Sequence, residues 1–422
     1  MNKKELLQKV IGNSGTEKVM NLRNAMLHYK AKFNKTSGVI NFCDGRDFVQ
    51  YSIPGKNLFF GYYDLSQYNS SMEKLLAHIV KKNANPATDK AELVWIDEKD
   101  KSIHSIINTQ AWCWQQGARL RWHPTLKDTI LYNDYDGTDY VTYSLDLNTG
   151  EKSKVSRALY DVDKSFSYGL SLNFDRLQRL RPGYGYSCRK DDTNSQIAPA
   201  DDGVFIVDLC KRKEKLLFSL AELARDIDNK GVQHYINHLS VSPNGKRFMF
   251  FHLWTADASA QWNMRFYVSN IDGTGLTMLE DDVRVSHYCW IDDDTLLATR
   301  RVVGKEFRHV IYNLATGEKI INNGNLINMD GHPTTIRNGF ITDTYPQKNM
   351  LQYVFLSNMS GGFNKEVLRL FAEPLCYGEH RCDLHPRVFN ERFITIDTTY
   401  KGGVRSIVAF ELQEEELNHL NK

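Results

Sequence analysis

Four histidines recur at one kind of position in the second half of the chain. Each stands at the start of a strand-like run: His238 in NHLSV, His287 in SHYCW, His332 in DGHP and His385 in DLHP. A single histidine at a strand edge usually completes the hydrogen bonding of a turn, but the recurrence of four is harder to explain in this way. If the fold brings three or four imidazoles together, they can bind a transition metal, since neutral imidazole suits zinc, manganese and iron.

A second group of chemically capable residues lies in one polar stretch, LNFDRLQRLRPGYGYS. It places Arg176, Arg179 and Arg181 beside Tyr184 and Tyr186. An arginine fork binds a carboxylate or phosphate through two parallel hydrogen bonds, and a tyrosine can stack on a sugar or donate a proton. The alternative is a solvated loop with ordinary charges.

The stretch CYGEHRCDLH offers a competing set of metal ligands. Cys376, His380, Cys382 and His385 would suit a structural zinc, although their spacing matches no standard zinc finger. The seven cysteines are scattered along the chain, which is typical of reduced thiols and not of a disulfide framework.

The elements that must position these residues repeat along the chain. Runs such as YVTYSLDLNTGEKSKV and HVIYNLATGEKIIN read as strand, turn and strand, and they alternate seven times with a second kind of hairpin such as NHLSVSPNGKRFMFFHLW. Two hairpins per repeat predict an all-β protein, a seven-bladed β-propeller with four strands per blade. The last unit is short, so the stretch GVINFCDGRDFVQYSI is expected to supply its missing edge. Residues 1–35 then form a short N-terminal helical extension, and residues 36–422 form the propeller.

Propeller topology predicts where the candidate residues meet. In each blade the innermost strand starts at one face of the ring, and the second strand returns to that face. The four histidines therefore converge at one mouth of the central channel. His252 and Tyr345, at the ends of second strands, should reach the same mouth, as should the insertion from Asp175 to Ala200.

Composition restricts the class of protein. Hydrophobic residues make up 41% of the 422 residues and the formal net charge is +2, which indicates a globular chain and gives no sign of a nucleic-acid-binding surface. The first 30 residues are amphipathic and charged without a signal-peptide core, and no run is long enough to span a bilayer. We therefore expect a cytoplasmic protein that binds neither nucleic acid nor a membrane. No glycine-rich loop for a nucleotide cofactor is present.

Several stretches together resemble the propeller-type polysaccharide lyases, the group that includes oligogalacturonate and ulvan lyases. They are FFGYYDLSQYN, WQQGARLRWHP, LSLNFDRLQRLRPGYGY, NHLSVSPNGKRFMFFHLW, DGHP with TDTYP, and DLHPR, and they cover the chain from about Phe59 to Tyr400. The resemblance implies β-elimination of an acidic, uronate-containing glycan at the channel mouth.

The resemblance also assigns roles to residues of this chain. It implies His238 and His252 as acid and base, with Arg181 and Tyr184 neutralising the carboxylate and donating a proton. The same mapping gives His287, His332 and His385 as candidate metal ligands for manganese or zinc. Residue type and predicted position at the channel mouth add the candidate substrate contacts Arg176, Arg179, Tyr186 and Tyr345. Those lyases are commonly exported and this chain shows no signal, so the substrate would be an imported oligosaccharide or one from polysaccharide assembly.

Two other functions remain open at this stage. A propeller can bind a glycan or a protein at the same face without catalysis. A carbohydrate hydrolase or transferase would need paired carboxylates at the mouth, for which Asp64 in GYYD and Asp330 in DGHP are the candidates. The sugar, the linkage and the oligomeric state are left open by the sequence.

Overall fold

The computed structural model describes residues 3–302, 304 and 306–421 of the chain. Its secondary structure is dominated by short antiparallel strands. In chain order the first of these strands are β1 (Ile40–Phe42), β2 (Val49–Tyr51), β3 (Lys56–Phe59), β4 (Lys74–Lys81), β5 (Ala91–Asp97), β6 (Ile103–Thr109), β7 (Arg121–Trp122), β8 (Thr129–Tyr135), β9 (Tyr140–Asp146), β10 (Lys152–Arg157), β11 (Asp161–Val162), β12 (Tyr168–Ser171), β13 (Gly203–Asp208) and β14 (Lys213–Ser219). They are followed by β15 (Gln233–Val241), β16 (Arg247–Thr255), β17 (Trp262–Asn270), β18 (Thr277–Asp281), β19 (Val285–Trp290), β20 (Thr295–Arg301), β21 (Phe307–Asn313), β22 (Lys319–Ile321), β23 (Thr334–Ile336), β24 (Gly339–Asp343), β25 (Leu351–Asn358), β26 (Asn364–Phe371), β27 (Arg387–Phe389), β28 (Phe393–Thr398) and β29 (Ser406–Glu411).

Helices are few and lie at the ends of the chain or between strands. They are α1 (Lys3–Phe33), α2 (Phe174–Leu180), α3 (Leu220–Leu223) and α4 (Glu414–His419), with one turn of 3-10 helix at Gly378–His380.

The strands form seven antiparallel sheets in the described chain, one for each blade. Five blades consist of four consecutive strands each, namely β3–β6, β7–β10, β11–β14, β15–β18 and β19–β22. The sixth blade, β23–β26, gains β1 as a fifth, outermost strand. The seventh consists of β27–β29 and is completed by β2, which pairs with β29. The predicted fold, a seven-bladed propeller with an N-terminal helical extension, is confirmed, and the stretch expected to close the ring does so.

Burial of whole strands explains why some sequences read as continuous apolar runs. Each blade packs between two neighbours, so a strand near the axis is covered on both faces. In β16 the residues Phe248, Met249, Phe250 and Phe251 are all at most 1% exposed. The outermost strand β22 is exposed along its length. The hydrophobic core therefore lies between the inner strands of adjacent blades.

Helix α1 precedes the propeller and packs on its outside. Its backbone leaves helical geometry at Gly12, where φ is 70°. Ala31 joins the apolar core of the sixth and seventh blades, and His28 Nδ1 lies 2.8 Å from a carboxylate oxygen of Glu373. The domain boundary at residue 35 stays a prediction. None of the helices in the described part of the chain combines the length and the apolar character needed to cross a membrane.

Candidate functional site

The four recurring histidines lie where the innermost strands of consecutive blades begin, with one exception in detail. His287 lies near the start of β19, and His332 and His385 each lie two residues before the first residue of β23 and β27. His238 was expected to begin its strand, but β15 starts earlier, at Gln233, and His238 lies inside it at a β-bulge. His238 and His385 both have left-handed backbone conformations, with φ of 58° and 49°. Such conformations are unfavourable for a residue with a side chain and often occur at functional sites.

Three of the imidazoles form a compact, buried group. The ring centroids of His287 and His332 are 3.8 Å apart, and those of His332 and His385 are 4.4 Å apart. The Tyr62 ring lies 4.8 Å from the His385 ring and 5.1 Å from the His238 ring. All four imidazoles are at most 2% exposed. Tyr62 therefore joins His238 to the other three histidines in one site.

The hydrogen bonds of His332 and His385 leave one nitrogen of each ring available. His332 Nδ1 lies 2.8 Å from Asp343 Oδ1, and His385 Nδ1 donates to the Gly61 carbonyl oxygen at 2.8 Å. In both rings the buried Nε2 has no hydrogen-bond partner in the described residues. A histidine that ligates a metal commonly has its other nitrogen fixed by a carboxylate or a carbonyl in this way.

Asp383 completes a set of three potential ligands. Its Oδ2 accepts a hydrogen bond of 2.9 Å from Arg381 Nε, whereas no described residue donates a hydrogen bond to its buried Oδ1. One ligand atom each from His332, Asp383 and His385 lie within 4.8 Å of one another. Two imidazole nitrogens and a carboxylate oxygen suit manganese or zinc. The residues present therefore fit a divalent metal.

The charges around His332 also favour a cation. Burial alone lowers the pKa of His332, but the Asp343 carboxylate and its hydrogen bond outweigh burial, and the pKa lies above its ordinary value. Burial, with the neighbouring His332, lowers the pKa of His385 well below that of a free imidazole. A positive charge is thus stabilised near His332, whereas the His385 ring is held neutral.

His287 lies beside this group with a different set of partners. Its Nδ1 is 3.2 Å from Asp330 Oδ1, and its Nε2 is 3.5 Å from the Tyr345 hydroxyl. Burial and His332 lower its pKa to about 4. The structure brings His287 next to His332, and its role as a metal ligand stays a prediction.

His238 is held between two tyrosine hydroxyls. Its Nδ1 lies 2.9 Å from Tyr160 Oη and its Nε2 lies 3.3 Å from Tyr62 Oη. Burial, reinforced by Arg181, lowers the pKa of His238 well below its ordinary value. The imidazole is therefore neutral at neutral pH, the state in which it can accept a proton.

Arginine and tyrosine side chains pack beside this group: the Tyr184 ring lies 5.8 Å from the His238 ring, and the Tyr345 ring lies 5.7 Å from the His332 ring. The Arg181 guanidinium lies 4.7 Å from the Tyr184 ring centroid and 4.8 Å from that of Trp262, and its buried Nε forms no hydrogen bond within the described part of the chain. Arg381 Nη2 donates to Tyr184 Oη at 2.7 Å. Tyr345 lies under Arg381, 5.9 Å from the guanidinium carbon. The Tyr235 hydroxyl also lies close to the Arg181 guanidinium, whose Nε–H can donate to an anionic ligand.

A cavity beside this layer extends its positive charge. It has a volume of about 280 Å³, and its charged lining consists of Arg284, Arg300 and Arg301 with one carboxylate, Asp282, among the described residues. Arg284 lies 4.3 Å from the Trp262 ring, and the buried Nε atoms of Arg284 and Arg301 have no hydrogen-bond partner among the residues that the structure describes. Guanidinium groups with unused donors favour a ligand that carries carboxylates.

His252 does not lie with His238, contrary to the expectation from the sequence. Its Nε2 lies 2.9 Å from Nδ1 of His234, and its ring packs against His234 and Trp254. The bulge at His238 adds one residue to β15, and the strand register shifts between Asn237 and Leu239. Because side chains alternate between the two faces of a sheet, this extra residue moves His238 to the face opposite His252.

Three other residues predicted to contact substrate serve the scaffold instead. The Arg176 guanidinium donates to the backbone carbonyl of His234 in β15 and to backbone carbonyls of the insertion, among them that of Gln196. Arg179 pairs with Asp191, at 2.8 Å from Nη2 to Oδ2. Tyr186 stacks on Phe174 at 4.4 Å and accepts a hydrogen bond from Asn133. All three hold the insertion in place, because a long irregular segment needs partners for its buried polar groups.

The structure also shows the surroundings of the alternative zinc ligands and of the alternative catalytic carboxylates. Within the described residues, the group of potential metal ligands includes neither Cys376 nor Cys382. Burial raises the pKa of the Cys382 thiol, which keeps it protonated. Both oxygens of Asp64 are held by Arg119, at 3.0 and 2.9 Å, and Asp330 is bonded to Ser286 and His287. These two carboxylates therefore hold other side chains in place.

Sequence reasoning missed four residues of this site, Tyr62, Asp343, Arg381 and Asp383. A signal for Asp383 was present, because it stands two residues before His385 in the segment CDLH. Tyr62 lies in the segment GYYD, where only the carboxylate was considered. Asp343 and Arg381 stand at no spacing from the recurring histidines that would identify them as site residues.

Comparisons with known proteins show the fold. No protein-family model matches the chain, and no curated protein sequence matches it. A solved oligogalacturonate lyase in complex with manganese superposes with a TM-score of 0.62 and 13% identity, over 90% of this chain and 99% of that one. The oligogalacturonate lyase of Vibrio parahaemolyticus gives a TM-score of 0.59 and 11% identity, over 90% of this chain and 100% of that one. The resemblance predicted from the motifs is thus confirmed at the level of structure, and the chain has the same seven-bladed propeller fold as these lyases.

Proposed function

We propose that this protein is a lyase that cleaves uronate-containing oligosaccharides by β-elimination at the site formed by His238, Arg181, Tyr184 and the His332 group. The observation that carries the proposal is the position of a neutral, buried imidazole, His238, beside an arginine with a free donor. A base and a carboxylate-binding cation are the two groups that β-elimination from a uronate requires.

The first step is removal of the proton on C5, next to the substrate carboxylate. In the reactive tautomer, the proton of His238 is on Nδ1, and this N–H donates a hydrogen bond to Tyr160 Oη. The lone pair of Nε2 then faces the pocket. The substrate C–H takes the place of the long contact to Tyr62. His238 Nε2 accepts the proton, and the electron pair of the C–H bond moves into an enolate of the carboxylate.

The carboxylate gains negative charge in this step and must be stabilised. Arg181 offers its free Nε, and its stacking on Tyr184 and Trp262 holds the guanidinium in one orientation. When bound at His332, Asp383 and His385, a divalent metal would supply Lewis-acid stabilisation of the same carboxylate.

The second step breaks the bond between C4 and the glycosidic oxygen. The electron pair of the enolate forms the double bond between C4 and C5, and the departing oxygen takes a proton. Tyr184 Oη accepts a hydrogen bond from Arg381, so its own O–H is free to donate. Its ring lies 5.8 Å from the His238 ring, within one substrate residue of the base.

The test is an absorbance assay with purified protein and a set of short oligosaccharides. Galacturonate, glucuronate and mannuronate oligomers are compared with neutral oligosaccharides, with and without added manganese or zinc. We expect the ultraviolet absorbance of an unsaturated uronate to rise with at least one acidic substrate. No increase with any uronate under either condition overturns the proposal, and binding without an increase supports a glycan-binding propeller instead.

Two arginine variants test the assignment of the carboxylate-binding group. Arg181→Ala should weaken both substrate binding and turnover, because the fork meets the carboxylate in the ground state and its added charge in the transition state. Arg225→Ala removes an exposed guanidinium that lies outside both the insertion and the site, and should leave both parameters unchanged. Equal effects of the two substitutions would contradict the role of Arg181.

A further inference from the structure

Helix α1 carries an apolar stripe that faces solvent. Val19, Leu22, Met26, Tyr29 and Phe33 are between 43% and 88% exposed. Their spacing alternates between three and four residues, so they lie on one side of the helix. A stripe of five large apolar residues is unusual on a surface that contacts water alone.

The opposite side of the same helix attaches it to the propeller. Thr16, Asn24 and Ala31 are at most 6% exposed, and they too are separated by seven or eight residues, two turns of the helix. His28 on this side lies 2.8 Å from Glu373. The propeller therefore leaves the apolar stripe free.

The stripe is bordered by positive charge. Lys18 and Lys32 flank it on one side, and Arg23 and Lys30 flank it on the other; all four side chains are exposed. Glu17 is the only acidic residue between residues 15 and 33. Lysine and arginine at such borders keep their charges at a polar surface while the stripe is buried.

The charges decide between possible occupants. A second copy of α1 on this stripe would bring lysines and arginines of both copies together along each border, in parallel and antiparallel pairing alike, which is repulsive. Acidic headgroups of a bilayer would complement all four charges, while the apolar side chains enter the acyl boundary. We propose that helix α1 is an interfacial docking surface for an anionic lipid membrane. The sequence predicted no membrane contact because it lacks a spanning segment, but a helix that lies in the interface needs none.

The test is vesicle flotation with the full chain. We expect the protein to float with vesicles of phosphatidylcholine and phosphatidylglycerol, not with phosphatidylcholine alone, and the bound fraction to fall as the ionic strength rises. The double variant Met26→Ser/Phe33→Ser should abolish flotation, and Lys30→Glu/Lys32→Glu should lower the partition coefficient about tenfold or more. Both pairs are exposed, so circular dichroism and Tm should match the unaltered protein.

A matched control changes equally exposed residues elsewhere. Leu126→Ser/Lys127→Glu, in the turn between β7 and β8, should float as the unaltered protein does. Tyr29→Trp gives a second measurement. The emission of the added tryptophan, taken as the difference from the unaltered protein with its seven tryptophans, should shift to the blue when acidic vesicles are added. The proposal is overturned by absence of flotation with acidic vesicles, by equal flotation with neutral ones, or by normal flotation of Met26→Ser/Phe33→Ser. A concentration-dependent dimer that this double variant abolishes would also overturn it, in favour of a second copy.

Discussion

At the scale of single residues, His238 has the environment of a proton acceptor. Its two nitrogens face Tyr160 and Tyr62, and burial keeps the ring neutral. Its left-handed backbone, with φ of 58°, coincides with the bulge in β15, and its ring lies 5.1 Å from the Tyr62 ring.

Replacement of His238 separates a catalytic from a structural role. His238→Ala should lower kcat by about 10²–10⁴-fold, the usual contribution of a general base, and should leave substrate binding intact. His252→Ala removes an equally buried imidazole from the other face of the same hairpin and should lower Tm with little change in kcat. Steady-state kinetics and thermal melts of both variants provide the measurement. If His238→Ala keeps full activity, or unfolds the protein, the residue belongs to the scaffold.

The His332, Asp383 and His385 group leads to a prediction that does not depend on activity. Manganese or zinc should raise Tm, because a ligand that binds the folded state at 100 times its Kd adds about 2.7 kcal/mol to the free energy of unfolding. Asp383→Asn should remove most of this increase, whereas His380→Gln, in the competing cysteine set, should retain it. Differential scanning fluorimetry with metal titration measures both. Loss of the response in Cys382→Ser but not in Asp383→Asn would favour the structural-zinc alternative.

At the scale of elements, the inner strands carry most of the packing energy. Phe250 in β16 is fully buried and stacks on Phe218 and Tyr267, with centroids 5.6 and 5.1 Å away. Phe250→Ala should lower the free energy of unfolding by roughly 3–5 kcal/mol, as expected for a buried phenylalanine. Ile320→Ala in the outermost strand β22, where the side chain is 45% exposed, should cost far less. Denaturant unfolding followed by fluorescence provides both values, and equal losses would contradict this account of the core.

The hairpins were predictable because their signal is local. A strand, a polar turn and a second strand recur often enough to fix seven blades, and the shortness of the last unit pointed to the pairing of β2 with β29. The start of each inner strand then placed His287, His332 and His385 on one face. What repeats along the chain could be predicted from the chain.

The details that failed depend on single insertions and on long-range contacts. The bulge at His238 is one extra residue in β15, and no composition marks it, yet it separates His238 from His252. Asp383 meets His332 through a long-range contact: the carbonyl of its neighbour Cys382 accepts a hydrogen bond from Gln352 of β25 in the sixth blade. Arg176 and Arg181 stand in the same polar segment, and the sequence does not distinguish their roles. Only the fold of the insertion shows that Arg176 donates to backbone carbonyls, whereas Arg181 Nε has no hydrogen bond within the described residues.

At the scale of the whole molecule, the closed ring buries many imidazoles without charge. His78, His234 and His309 are at most 1% exposed, and burial lowers the pKa of each to about 4. The Ala118 backbone N–H donates to His78 Nε2 at 3.0 Å, a hydrogen bond that requires this nitrogen to be unprotonated. Stability of the ring should therefore depend on pH in the mildly acidic range.

The direction follows from proton uptake by the unfolded chain. An unfolded histidine has a pKa near 6.5, so below that pH the unfolded state binds protons that the folded state excludes until the pH reaches about 4. The free energy of unfolding should be highest above about pH 6.5 and should fall as the pH decreases towards 4, by of order 3 kcal/mol for each such residue. His78→Gln keeps an acceptor for Ala118 and removes one titrating group, so its stability should fall less steeply between pH 6.5 and 5, a range above the titration of most carboxylates. Leu76→Ala in the same strand should lower stability equally at each pH and leave the slope unchanged. Urea unfolding across this range measures both slopes, and a His78→Gln slope equal to that of the unaltered protein would show that His78 does not contribute to the loss.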